Sequence, residues 1–263
     1  MKILTLLFIS FSLLMSKVYY SKVEPYEIRS ISSNVSGLVL FADEDKIGQK
    51  LSSDAYIKID KELDTKELES IDKKIVYLNS TIIANESILK NLKMSLGKKR
   101  ENYKAIESLK IKSKIEKDRE FHDLINSENA YLNTEKEITN LKVQLSDLEL
   151  RRAQLTRNIA DKNLIAKGFT LYSLLVKPGQ VVGIATPLAQ VADTSKAKLT
   201  IFLDESDMRD AKSKTVYIDG KQSKYKVSRV LNIADSKNIS KYMAQIIIDS
   251  PEFFSKLVKV ELK

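Results

Sequence analysis

Apolar residues recur at alternating three- and four-residue intervals along two stretches of this chain. The first stretch is Leu68, Ile71, Ile75, Leu78, Ile82, Asn85, Leu89, Leu92, Leu96, Lys99, Tyr103 and Ile106. The second is Leu124, Ser127, Tyr131, Thr134, Ile138, Leu141, Leu145, Leu148, Arg152, Leu155 and Ile159. Such spacing is the heptad seam of paired helices. No proline falls between Tyr26 and Lys177, and Gly97 is the only glycine between Gly48 and Gly168, so the composition supports long, uninterrupted helices. Two arms of about 45 residues, joined without a long loop, fold back antiparallel and reach about 65–70 Å at roughly 1.5 Å per residue. The turn is placed near Ser108 to Ser113, where Ser108, Lys110, Lys112, Ser113 and Lys114 replace the regular seam. A turn that only closed a hairpin would more simply use Gly, Asn or Pro, so this tip is expected to present side chains for contact.

Outside the arms the period shortens to that of strands. Gly37 to Leu51 and Gly168 to Val182 superpose without a gap, with glycine, leucine, lysine, glycine and glutamine in common. Gly37, Gly48, Gly168 and Gly179 are read as the structural turn positions of this repeat, Gly37 and Gly168 opening a strand and Gly48 and Gly179 requiring positive φ. Ile57-Lys58-Ile59 and Leu188-Ala189-Gln190-Val191 alternate as closing strands. Each half has too few strands to bury its own apolar face, so the halves must pair across the hairpin. Beyond Lys198 come Leu199 to Leu203, an acidic turn at Asp204 to Asp210, Val216-Tyr217-Ile218, Tyr225-Lys226-Val227, Tyr242 to Ile248 and Leu257 to Leu262. Asp219-Gly220 is a hairpin signal between two of these strands. The fold class is α+β: a split β-domain with an inserted antiparallel coiled-coil hairpin, followed by a small antiparallel β-barrel. The boundaries are 1–20 for a leader, 28–60 and 165–195 for the halves, 61–164 for the hairpin and 196–263 for the barrel.

The leader reading rests on Met1-Lys2 followed by the apolar run Ile3 to Met15. That run has the length of a signal-peptide core and is shorter than the roughly 20 residues that span a bilayer. It is a cleaved signal peptide, or an anchor extended through Val18-Tyr19-Tyr20, and either one exports the rest of the chain. Cysteine is absent, which excludes disulfides, Cys-based zinc sites and Cys nucleophiles. The formal net charge of +9 comes from lysine interspersed with glutamate along the helices, which reads as a solvated coiled-coil surface and not as a nucleic-acid interface. His122 stands alone without a second ligand. Asp204-Glu205-Ser206-Asp207 lacks the glycine and ligand spacing of a calcium loop, and Ser113 has no His-Asp set to activate it. No metal, no cofactor and no enzymatic activity follow from these residues.

Ser36-Gly37-Leu38-Val39, Gly48-Gln49-Lys50-Leu51, Lys177-Pro178-Gly179-Gln180-Val181-Val182, Pro187 to Asp193 and Leu203 to Asp207 together carry a resemblance to the HlyD-like membrane fusion proteins. These are periplasmic adaptors of tripartite efflux and secretion systems in the Gram-negative envelope, and their split β-domain is lipoyl-like. The resemblance implies a transport adaptor at the inner membrane, in the periplasm, self-assembling into a trimer or hexamer ring. It implies an inner-membrane transporter and an outer-membrane channel as partners, with the hairpin tip docking the channel. The family's tip pattern of arginine, leucine and serine falls on Asn102, Ile106 and Ser113, with Arg100 close to the arginine position; these four are the candidate partner-binding residues. Asp54 stands where the family often has a second turn glycine. A lipoyl carrier would need a modifiable lysine on a tight hairpin between the halves, where this chain has about a hundred helical residues. The other rival reading is a periplasmic coiled-coil scaffold without a transport role.

Overall fold

The computed structural model describes residues 17–234 and 240–263; the apolar run Ile3 to Met15 lies outside them. In chain order the elements are β1 (Val18–Ser32), β2 (Gly37–Ala42), β3 (Ile57–Ile59), α1 (Glu62–Ser108), α2 (Lys114–Asp161), β4 (Asn163–Leu164), β5 (Thr170–Leu174) and β6 (Val181–Val182). They continue with β7 (Pro187–Leu203), α3 (Glu205–Met208), β8 (Val216–Ile218), β9 (Lys221–Gln222), β10 (Val227–Ala234), β11 (Tyr242–Asp249) and β12 (Leu257–Leu262).

The two halves of the sequence repeat exchange hydrogen bonds. Gly37 and Leu38 of β2 pair with Val182 and Val181 of β6, and Lys50 bridges Thr170. The Gly48 amide donates to the Leu171 carbonyl at 2.8 Å, and the Gly179 amide donates to the Val39 carbonyl at 2.8 Å. Each half's glycine turn is therefore tied to the other half's strand. A four-stranded sheet, β4-β3-β2-β6, faces the sheet portion containing β5, β7 and the end of β1. Between them lies one core, including Val39, Ile57, Ile59, Leu171, Leu188 and Val191, which no single half could enclose. Full burial of each such aliphatic side chain contributes about 1.5–3 kcal/mol.

Gly48, Gly168 and Gly179 adopt φ of 81°, 90° and 89°. Gly37 does not share their role as a turn residue. It lies within β2, and a Cβ there would sit 2.7 Å from Ile59 Cγ2, so its missing side chain permits close strand packing. Asp54 has no positive φ; its amide donates to the Ser52 hydroxyl at 3.2 Å.

A second core gathers Val23, Leu199, Ile201, Leu203, Val216, Ala244, Ile246 and Val260 within a barrel-like sheet ordered β10-β11-β7-β1-β12-β8-β9. Here β1 departs from the sequence-based reading. Val18 to Lys22 pair with Glu261 to Leu257 of β12, so Val18, Tyr19 and Tyr20 lie in a strand of the barrel. The expected boundary between residues 195 and 196 also falls inside a continuous element, because β7 runs unbroken through both cores. So does β1, which pairs with β7 from Val23↔Leu199 to Ser32↔Pro187 and is irregular between Pro25 and Glu27. Proline has no amide to give a ladder and is accommodated at such a break. Across Asp219-Gly220, with φ of 50° and 78°, β8 pairs with β9 (Lys221–Gln222) and not with Tyr225 to Val227.

The arms form as the heptads require. Ile71, Ile82, Leu96, Ile138, Leu141 and Leu155 are buried, and the other seam positions are half-buried except Arg152. Arg152 instead reaches Asp72 at 2.6 Å. Cross-hairpin pairs Arg151–Glu67 at 2.8 Å and Lys142–Glu86 at 2.9 Å flank the seam. At about 1.5 Å per residue, the 47- and 48-residue helices make an arm about 70 Å long.

Candidate functional site at the hairpin tip

The turn between α1 and α2 spans residues 109–113 and is held from both sides. Leu109 leaves the helix with φ −80° and ψ 123°, its amide donating to the Ile106 carbonyl at 3.1 Å. Ser113 caps α2: the Glu116 amide donates to its hydroxyl at 3.3 Å, and its own amide donates to the Glu116 carboxylate at 3.0 Å. This reciprocal capping box satisfies donors that a helix start leaves open. The Ser113 amide, followed by Lys112 and the Ser113 hydroxyl, holds the Glu116 carboxyl below its usual range. Lys117 Nζ reaches back across the turn to the Glu107 carbonyl at 2.9 Å, satisfying an oxygen at the end of α1. Below the apex, Tyr103 and Phe121 replace the aliphatic seam, with ring centroids 5.6 Å apart.

The four residues selected from the sequence occupy different settings. Asn102 and Ser113 are exposed, and Ile106 is half-buried as the last residue of the seam. Arg100 is committed within the hairpin, pairing with Glu128 at 2.5 Å. The outward apolar side chains are others: Ile111 is 95% exposed, Ile115 81% and Leu109 45%. Lys110, Lys112 and Lys114 alternate with them. Lys112 pairs with Glu116 at 3.1 Å, and Lys110 and Lys114 pair with no carboxylate among the described residues. The signal for this patch was in the sequence, since alternating aliphatic and lysine residues occupy a turn that closure alone would give to glycine or asparagine. The family pattern falls instead on Ile106, which the seam half-buries.

Other polar clusters have structural partners. Asp204 is bound by Lys17 at 3.1 Å and Lys241 at 2.5 Å, while Asp207 accepts from the Tyr19 hydroxyl at 2.6 Å and meets Lys17 at 3.0 Å. These contacts tie the start of β1 to α3 and β11. His122 is exposed and contacts the Phe121 ring edge, with centroids 6.1 Å apart. Among the described residues, no group of three or more His, Cys, Asp or Glu side chains is placed to hold a metal ion. No helix among them is long and apolar enough to cross a membrane. A cleft of about 640 Å³ at the junction of the two β-domains is walled by Ile28, Ile47, Tyr172 and Phe254.

No family model and no curated protein matches the sequence. Solved structures do match. MacA from Actinobacillus actinomycetemcomitans is similar at a TM-score of 0.71 and 17% identity, covering 94% of this chain and 78% of that one. The membrane fusion protein Spr0693 from Streptococcus pneumoniae R6 is similar at a TM-score of 0.62 and 10% identity, covering 94% and 99%. The periplasmic adaptor protein EmrA is similar at a TM-score of 0.50 and 15% identity, covering 94% and 98%. With its halves joined into one core, its hairpin inserted between them and its barrel-like sheet following, this chain has the membrane fusion protein fold.

Proposed function

We propose that this chain is a periplasmic adaptor at the inner membrane, which bridges an inner-membrane transporter and an outer-membrane channel and docks to the channel by its hairpin tip. The observation that carries this reading is the arm itself: two helices of 47 and 48 residues, seamed and cross-paired along their length, ending in an exposed turn. Rigidity over about 70 Å, with recognition groups at the far end, suits connection across a gap. The resemblance to EmrA and Spr0693 supports the assignment. One arm cannot enclose a passage, so ring assembly of three or six copies belongs to the same reading. The protein's work is mechanical coupling, not chemistry.

The test is to shorten the arm while keeping its tip and base. Removing residues 75–88 and 138–151, which face each other across the hairpin, takes out two heptads per arm and about 21 Å of reach. The shortened protein is expected to accumulate normally and to lose export or compound resistance as completely as a gene deletion. Full export by the shortened protein would leave a scaffold without a bridging role.

A further inference from the structure

We propose that the hairpin apex recognises an apolar groove bordered by carboxylates on its protein partner, through Leu109, Ile111 and Ile115 interleaved with Lys110, Lys112 and Lys114. This rests on the adaptor reading and specifies the chemistry of the docking surface. Ile111 and Ile115 are 95% and 81% exposed, although neither contributes anything to closing the turn or the seam. Large apolar side chains presented together at one end of a molecule mark an interaction surface.

Charge narrows the partner. From Ser108 to Ile115 the apex carries three lysines and no carboxylate. The two acids that flank it are engaged within the hairpin, Glu116 by the capping box and Lys112, and Glu107 as acceptor of the Tyr103 hydroxyl at 3.5 Å. A potential of one sign, presented with apolar contacts, is matched by an acidic partner surface. The Ser113 cap and the Lys117–Glu107 carbonyl bond fix the turn beforehand, which reduces the ordering cost of binding. A lipid surface fits less well. Interfacial anchors favour Trp and Tyr at the headgroup level, and here the nearest rings, Tyr103 and Phe121, pack on each other below the apex.

The experiment compares three variants of the full chain for export in cells, with protein level and helicity checked. Lys110→Glu with Lys114→Glu spares Lys112 and the capping box, and an acid at the first position of α2 suits the helix dipole. This pair is expected to lower export at least about tenfold, the scale of a lost hot spot. Lys110→Arg with Lys114→Arg is expected to remain within about twofold of the parent. Ile111→Ser with Ile115→Ser is expected to fall at least about tenfold. Export at the parent level by the glutamate pair overturns the inference. If the glutamate pair exports normally while the shortened arm does not, only the recognition chemistry is wrong; if the shortened arm also exports, the adaptor reading fails. Purified protein is also sedimented with phosphatidylglycerol–phosphatidylcholine vesicles. Vesicle binding that disappears in the Ile111→Ser, Ile115→Ser variant would assign the apex to a membrane and overturn the protein partner.

Discussion

Lys162 and Asp64 meet at 2.6 Å at the base of the hairpin, joining the C-cap of α2 to the first turn of α1. Their side chains are 11% and 22% exposed, unlike the solvated pairs higher on the arm. The Lys162 stem also lies beside Gly37, so the pair sits where the arm meets the β-domain. Replacing Lys162 by Met leaves a mostly buried carboxylate unpaired and should destabilise the hairpin by about 1–3 kcal/mol, less than for a fully buried pair because Asp64 keeps some water. Denaturation followed by helicity reads this directly. Adding Asp64→Leu should recover most of the loss, and an unchanged midpoint in Lys162→Met alone would make the pair incidental.

Gly179 and Gly37 should fail for different reasons. Gly179 has φ of 89° and nothing within 4 Å of an added Cβ, so only backbone conformation resists substitution. Gly179→Val should cost about 1–3 kcal/mol, whereas Gly179→Asn should cost much less because asparagine tolerates this region. Gly37→Ala meets Ile59 Cγ2 at 2.7 Å and should be relieved by Ile59→Ala. Thermal melts of the four variants separate the two mechanisms; equal damage from Asn and Val at position 179 would refute the backbone explanation.

Gly97 lies inside α1 with open space where a Cβ would stand. Gly97→Ala should therefore stabilise the outer hairpin by about 0.5–1 kcal/mol. Slower amide exchange near residue 97 is the expected observation. Faster exchange would indicate that this position meets a constraint other than helix propensity.

The network at the start of β1 gives a pH dependence. The Tyr19 hydroxyl, followed by Lys17, holds Asp207 below the ordinary carboxylate range, and Lys241, followed by Lys17, does the same for Asp204. A carboxyl depressed on folding contributes stability that is complete above its unfolded value, about 3.9 for aspartate, and is lost as pH falls through the folded value. Acidification below about pH 4 should therefore loosen the corner between β1 and α3, seen as faster amide exchange at Val18 to Ser21. Tyr19→Phe removes the largest cause for Asp207 and should move the onset to higher pH; an unmoved onset would exclude Asp207 from the transition.

The apex was only partly legible in the sequence. Spacing placed the turn, and its lack of Gly, Asn or Pro suggested contact. Ile106, chosen as the apolar contact, fits the seam so well that it is half-buried there, while Ile111 lies past the last paired turn and is left in water. Arg100 looked available because its partner, Glu128, lies on the other arm.

What the sequence by itself determined is what local periodicity can encode. Heptads from Leu68 to Ile106 and from Leu124 to Ile159 specified two helices, their lengths and their buried faces, because one stripe per turn is enough to define a seam. Gly48 and Gly179 marked turns because positive φ is a property of the residue itself. The repeat also implied that its two halves associate, but which strands share an edge and which charges meet was decided only by tertiary structure. Val18 to Lys22 became a barrel strand because β12 offered a partner more than two hundred residues away. Gly37 became a close-packing position because Ile59 approaches it, and Arg152 left the seam for Asp72. A strand's neighbours and an ion's partner are fixed by pairing in space, which leaves no period along the chain.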